Sequence, residues 1–260
     1  MLRRVKSAVL AESMRSQKPD ARALHYTIQN KIPDWNYGKI LKRIGTPSAN
    51  GAVFSTSRAN VVVKVTPYSR NSNAEKRFQT LLGSHGIAPR SRNYKVVNIN
   101  RELASKIFNN RNNVNRVAIH VMNHLKQSPM NNFMSVNNYV KTQPGRKINM
   151  PTYKMIYNKV MAMHRLAVSH SNLHWENAYV IVNKGTGQVK NVKIIDFGRS
   201  KHMGARTRTA AAENYARRGT PGVFNSGNFA YFSGGGTGRR SNINMLKNLN
   251  YNFYRELSGR

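Results

Sequence analysis

The sequence predicts an α+β fold, with a small sheet-rich lobe followed by a lobe of mostly helices. Three observations carry this. Between Ile40 and Val65 short apolar runs are separated by a turn of small residues, "TPSANG", the pattern of antiparallel strands. Two longer stretches, "MNNFMSVNNYVKT" and "PTYKMIYNKVMAMHRLA", space their apolar residues as helices do. "AYVIVN" and "VKNVKIIDF", joined through "GTG", read as a hairpin.

Residues 1–38 are basic and mixed, with Pro33 closing a helix, and are expected to form a basic N-terminal arm. "MLRRVKSAVLA" has too short an apolar run for a signal-peptide core of about 7–15 residues. The small lobe is expected over 39–122, with strands in "KILKRIG", "AVFSTS" and "NVVVKV". In "NAEKRFQTLLGSHG", Phe78, Leu81 and Leu82 share a helical face and Gly83 acts as a stop. "RVAIHVM" reads as a buried strand. The second lobe is expected over 123–203, with Pro151 at the first turn of its long helix. Residues 204–240, including "SGGGTGRR", form a basic Gly/Ser/Arg-rich segment of flexible composition. "NINMLKNLNYNFYREL" gives an amphipathic helix within 241–260.

Charge narrows the partners. Lys and Arg number 43 against 9 Asp and Glu, a formal +34, where a small soluble domain usually carries about 2–8. Such a surplus makes the compact state repel itself and favours a polyanionic partner, nucleic acid or an acidic protein surface. There are no cysteines, which excludes disulfides, thiolate zinc sites and Cys nucleophiles. No apolar run approaches the ~18 residues of a membrane-spanning helix.

The chemistry is concentrated in "HSNLHWENAYVIV", His170–Val182, and "VKIIDFGRS", Val192–Ser200. With the residues upstream, these motifs resemble the protein kinase-like superfamily, over roughly Ile40 to Gly198. "IGTPSANGAVF" resembles the glycine-rich loop over nucleotide phosphates, with Gly45, Gly51 and Val53 matching, one extra residue and no middle glycine. "VVVKV" resembles the strand bearing the phosphate-binding lysine, here Lys64, and Glu75 falls where the family places the acid that pairs with it. "MHRLAVSHSNLHWEN" resembles the helix that runs into the catalytic loop, with His164 and His170 at the family's interval. Asn177 matches the metal-binding Asn, and Asp196 of "IIDFG" the second metal ligand. The resemblance implies a bilobal kinase-like fold with ATP and Mg²⁺ as cofactors. It makes Lys64 a holder of phosphates aimed by Glu75, Asn177 and Asp196 oxygen ligands to Mg²⁺, and His170 a structural residue packing the loop. The plain alternatives are a sheet-edge charge for Lys64, a surface acid for Glu75 and a turn-capping Asp196.

One departure matters. The family has Asp where this chain has Asn172. An amide accepts a hydrogen bond but takes up no proton near neutral pH, and losing general-base help costs roughly 10²–10⁴ in rate. Glu176 would have to turn into the site to replace it. "RRGTPGVFNSG" echoes the family's activation segment, but no "APE"-like run follows and too little chain remains for a full helical lobe. The expectation is therefore a truncated second lobe and a degenerate, pseudokinase-type member. It would act as a basic binding or structural component with residual ATP/Mg²⁺ binding and weak or absent phosphotransfer. Small, basic, Asn-rich kinase-like chains also resemble proteins of large DNA viruses, some of which are packaged, so the expected places are a virus particle or the host cytoplasm or nucleus. In a particle, protein partners are expected too. Two alternatives stand beside this. One is an active serine/threonine-type kinase with an atypical catalytic loop. The other is a nucleic-acid-binding protein whose kinase fold is only ancestral.

Overall fold

Alternation along three strands sets the first sheet. In β2 (Gly51–Thr56), Ala52, Phe54 and Thr56 are buried while their neighbours are half-exposed, the period of two that a one-sided strand requires. β1 (Ile40–Ser48) pairs with β2, and β2 pairs with β3 (Val61–Pro67). β3 is apolar almost throughout, with Val61, Val62, Val63 and Val65 buried, because both of its faces are covered. β4 (Ser91–Asn98) and β5 (Arg116–Asn123) complete a five-stranded antiparallel sheet in the order β1-β2-β3-β5-β4.

The protein is described by a computed structural model, which covers residues 19–48, 50–108, 113–125, 130–202, 252 and 255–256. The expected basic segment at 204–240 lies outside these residues, as does the expected terminal helix apart from residues 252, 255 and 256. The chain forms two compact units, Met1–Lys76 with Arg90–Lys126, and Arg77–Pro89 with Gln127–Arg260. The α+β class is as predicted. The boundary falls inside a helix, α2 (Arg70–Ser84), and the turn that follows it belongs to the second unit.

In the first unit, one face of the sheet packs on α1 (Pro19–Lys31) and α3 (Arg101–Ile107). Ala21, Leu24 and Ile28 of α1 join Phe54, Val63, Val65, Leu103, Ile107 and Ile119 in one apolar cluster. Residues 19–31, expected within a basic arm, are thus part of the core. Their apolar spacing of three and four residues, Ala21, Leu24 and Ile28, buries one helical stripe. Arg43 fastens the assembly. Its Nη2 lies 2.9 Å from Asp20 Oδ2 and donates to the Lys106 carbonyl at 2.8 Å, and its guanidinium sits 5.5 Å from the Phe54 ring centre.

In the second unit, a three-stranded sheet runs β6 (Asn131–Ser135), β8 (Ala178–Asn183), β9 (Val189–Ile194). The helix expected over Met130–Thr142 is a strand followed by a shorter helix, α4 (Val136–Thr142). Asn131–Ser135 find strand partners in β8, with Phe133 opposite Ile181. Ser135 then starts the helix, its Oγ accepting from the Asn138 N–H at 3.3 Å. α5 (Met150–Arg165) buries Tyr153, Ile156, Val160 and Met163 and packs on β9. Asn149 caps it and Pro151 occupies its first turn. Gly83, expected as a stop, lies inside α2, which runs one residue further.

Candidate functional site

The sequence-predicted residues fall into two groups, one in each unit. The first is on the sheet face opposite the α1 core. β3 carries Lys64, paired across the ladder with Val53 on β2 and His120 on β5. Lys64 Nζ lies 2.5 Å from Glu75 Oε1, and the two side chains are 18% and 7% exposed. The first half of α2 is held where Glu75 can make this contact. Ser72 Oγ accepts from the Ser69 N–H at 2.9 Å, Tyr94 donates its hydroxyl to Asn73 Oδ1 at 3.1 Å, and the Lys76 ammonium stands 5.0 Å from the Tyr94 ring centre.

The β1–β2 turn needs both of its matching glycines, for different reasons. Gly45 has φ +79 at an irregularity in the ladder, with open space where a Cβ would stand. Only its backbone angle calls for glycine. At Gly51 a Cβ would come within 2.9 Å of Thr66 Cγ2 and 3.1 Å of the Val65 carbonyl. Val53, next along β2, is half-buried on the Lys64 side.

His120 is a residue that motif reading missed. It is 4% exposed, its Nε2 is 2.9 Å from Ser91 Oγ, and its ring meets Tyr94 edge-on. Burial pushes its pKa down to about 4, helped by the positive charges of Lys64 and Lys76. At neutral pH it is uncharged, so Lys64 faces no second cation across the ladder.

The second group is the loop between β7 (Val168–Ser169) and β8, with the turn after β9. β7 pairs with the two-residue strand β10 (Lys201–His202), closing the loop and the turn into one unit. His170 Nε2 donates to the Ile195 carbonyl at 2.8 Å, and its ring lies 5.0 Å from that of fully buried Phe197. Asn177 Nδ2 donates to the Asn172 carbonyl at 3.0 Å, and the Asn177 carbonyl accepts from the Ile195 N–H at 2.9 Å. Asn172, Asn177 and the residue before Asp196 are therefore tied together, through one side-chain and one backbone donor. His164, buried near the end of α5, accepts through its carbonyl from the Ala167 N–H at 2.9 Å.

Strain gathers here. Ala167, Ser171 and Asp196 have φ of 57°, 60° and 65°, and no other non-glycine among the described residues has a positive φ. Each left-handed residue costs of order 1–3 kcal/mol, and such residues cluster where a site dictates the backbone. Nothing in the motif spelling announces Ala167 or Ser171.

Two titratable groups follow Asn172 in the same loop, His174 and Glu176. Glu176 is exposed, and its Oε1 accepts from Asn137 Nδ2 on α4. His174 has its pKa lowered by burial, against the opposing pull of Asp196 and Glu176. Its Nδ1 accepts from the Glu176 N–H at 3.3 Å, so the proton of the neutral ring is on Nε2. That nitrogen donates and has no lone pair to offer.

The oxygen donors of this loop and turn are of the kind a hard cation takes. With Nδ2 engaged, the Asn177 amide offers Oδ1, and Asp196 offers a carboxylate, both oxygen ligands of the kind Mg²⁺ takes. Among the described residues no cluster of three or more His, Cys, Asp or Glu forms an all-protein metal site, and no helix is long and apolar enough to cross a membrane.

No family model and no curated protein matches this chain. Among solved structures it is similar to the kinase PK-1 of Cydia pomonella granulovirus, at 16% identity and a TM-score of 0.42, over 64% of this chain and 55% of that one. A likeness of that degree carries no argument about activity. The described residues hold the elements that the sequence resemblance called for: a five-stranded antiparallel sheet with a helix between β3 and β4, the Lys64–Glu75 pair on those elements, and the β8–β9 hairpin between Asn177 and Asp196.

Proposed function

We propose that this protein is a catalytically impaired kinase-fold protein that keeps Mg·ATP binding and works as a strongly basic binding or structural component. The single observation behind this reading is the buried Lys64–Glu75 pair at 2.5 Å, kept while the general-base position holds Asn172. A lysine with a carboxylate at its side is held in one orientation, the arrangement by which a phosphate-binding lysine is aimed. In the same reading Asn177 and Asp196 hold the metal. Bound Mg·ATP would bring the transferable phosphoryl group and neutralise its charge. This chain's residues would orient the phosphates, but none stands ready to take the acceptor's proton. The His174 tautomer and the Asn137–Glu176 bond give an active kinase less support. The +34 surplus points to a polyanionic partner, bound in a salt-sensitive way. Packaging with nucleic acid and protein partners in a virus particle is one setting that suits it.

The test is Mg·ATP binding by calorimetry, in enough salt to suppress non-specific phosphate contacts, for wild type, Lys64→Ala and Asp196→Ala. Binding in the wild type that is lost in both variants supports the reading. Equal heats in all three would sink the nucleotide part and leave a basic nucleic-acid-binding protein. Steady phosphotransfer by the wild type, unchanged by Asn172→Asp, would overturn the catalytic impairment.

A further inference from the structure

Two lysines of the second unit converge on one backbone oxygen. Lys159 on α5 donates from Nζ to the Gly86 carbonyl at 2.9 Å, and Lys193 on β9 donates to the same oxygen at 2.8 Å. Both side chains are half-buried, and neither is in an ion pair with a carboxylate among the described residues. Two ammonium groups brought to one point out of bulk water repel each other. Burial lowers the pKa of each, and the charge of Lys159 lowers that of Lys193 further.

The turn they meet does not require them. The Ile87 and Ala88 N–H groups already bond to the Leu82 carbonyl at 2.9 and 3.2 Å, the Gly86 N–H bonds to Gly83 at 3.2 Å, and the Ile194 N–H bonds to the Ile87 carbonyl at 2.9 Å. Ile87 and Ala88 are buried. Neutral side chains would leave this scaffold standing without gathering like charge. Each ammonium has three N–H donors and gives one to Gly86, so the pair keeps four aimed around the same spot.

We propose that Lys159 and Lys193 form a seat for a dianionic phosphate, either free phosphate or a phosphate monoester. A dianion matches the two positive charges, whereas a carboxylate brings only one. Its oxygens can accept from both ammonium groups at once. The seat uses neither Lys64 nor Asp196, so it stands whether or not the nucleotide reading does.

The experiment is competitive amine acylation of the full-length chain, with the rate at each lysine read by peptide mass spectrometry. Millimolar inorganic phosphate is compared with chloride at equal ionic strength. A seated dianion keeps both lysines protonated, so acylation of Lys159 and Lys193 slows several-fold while the exposed Lys184 and Lys190 keep their rates. Lys193→Gln removes the protection at Lys159, and Lys159→Gln removes it at Lys193. Reading both variants guards against one that misfolds. Slowing equal to that at Lys184 and Lys190 would mean general screening and overturn the proposal, as would protection that survives in both folded variants. Protection by a single-stranded oligonucleotide lacking terminal phosphates, with none from inorganic phosphate, would overturn the dianion assignment in favour of a phosphodiester contact.

Discussion

His120 makes the first unit sensitive to acid, and the size of the effect follows from its surroundings. In the unfolded chain a histidine titrates near 6.5. In the fold, burial and the charges of Lys64 and Lys76 bring His120 to about 4. Above 6.5 both states are neutral and His120 costs nothing. As pH falls below 6.5 the unfolded chain takes up the proton first, so stability declines. The loss is complete below about 4 and amounts to about 3 kcal/mol, at 1.36 kcal/mol per unit of pKa difference. His120→Gln keeps a polar partner for Ser91 Oγ and removes the titration. Urea unfolding of wild type and variant between pH 7 and 4 cancels the carboxylates common to both. The wild type is expected to lose about 3 kcal/mol more than the variant across that range. NMR titration of the His120 ring gives the folded pKa directly, and Lys64→Met is expected to raise it by removing a nearby cation. Parallel stability curves, or a ring midpoint at 6 or above, would refute the reasoning.

Arg43→Met removes a guanidinium that is 8% exposed and leaves Asp20 unpaired, so it is expected to cost about 3–5 kcal/mol. Denaturation of this variant, of Asp20→Asn and of the double variant should show strong coupling. Gly51→Ala forces a Cβ against Thr66 Cγ2 and the Val65 carbonyl and is expected to lose about 1–3 kcal/mol. Gly45→Ala pays only for its backbone angle, about 1 kcal/mol, so thermal melts should rank it as the milder change. Phe197→Ala empties a fully buried site against His170. It is expected to cost about 3–5 kcal/mol and to broaden the His170 ring signals.

What the sequence made legible follows the strength of its periodicity. β2, β3, β5 and the β8–β9 hairpin declared themselves through apolar runs or alternation, and α5 through Pro151 and its buried stripe. β4 did not, because an edge strand with Arg92 and Lys95 exposed dilutes its apolar face, as edge strands do to avoid pairing with other chains. α3 is short, yet its signal was present: Asn100 Oδ1 accepts from the Leu103 N–H at 2.8 Å, and Glu102 and Lys106 are spaced as a helical ion pair. β6 was masked by Asn-rich composition, and its strand character comes from pairing with β8 rather than from propensity. For the candidate site, the resemblance to a known family pointed to Lys64, Glu75, Asn177 and Asp196. It could not name His120, whose place depends on the β3–β5 register, nor the positive-φ Ala167 and Ser171, whose angles the fold imposes.

Asn172 joins these threads. The bond that shapes the loop around it uses its backbone carbonyl, which accepts from Asn177 Nδ2. Its side chain is only half-buried. The loop's shape is therefore set by His170, Asn177 and the bond to Ile195, and an acid or an amide side chain at position 172 leaves those bonds in place. The form of the loop and the proton-accepting capacity of the residue at position 172 are thus separable. The converse is testable. Asn172→Asp restores a carboxylate without altering that backbone bond, and a half-exposed substitution of this kind usually moves stability by no more than about 0.5 kcal/mol. If the fold is as indifferent to this position as the geometry implies, the variant melts with the wild type, and any gain in phosphotransfer belongs to the base alone. A large loss of stability in Asn172→Asp would mean that the amide itself holds the loop, and a gain in phosphotransfer could not then be assigned to the carboxylate alone.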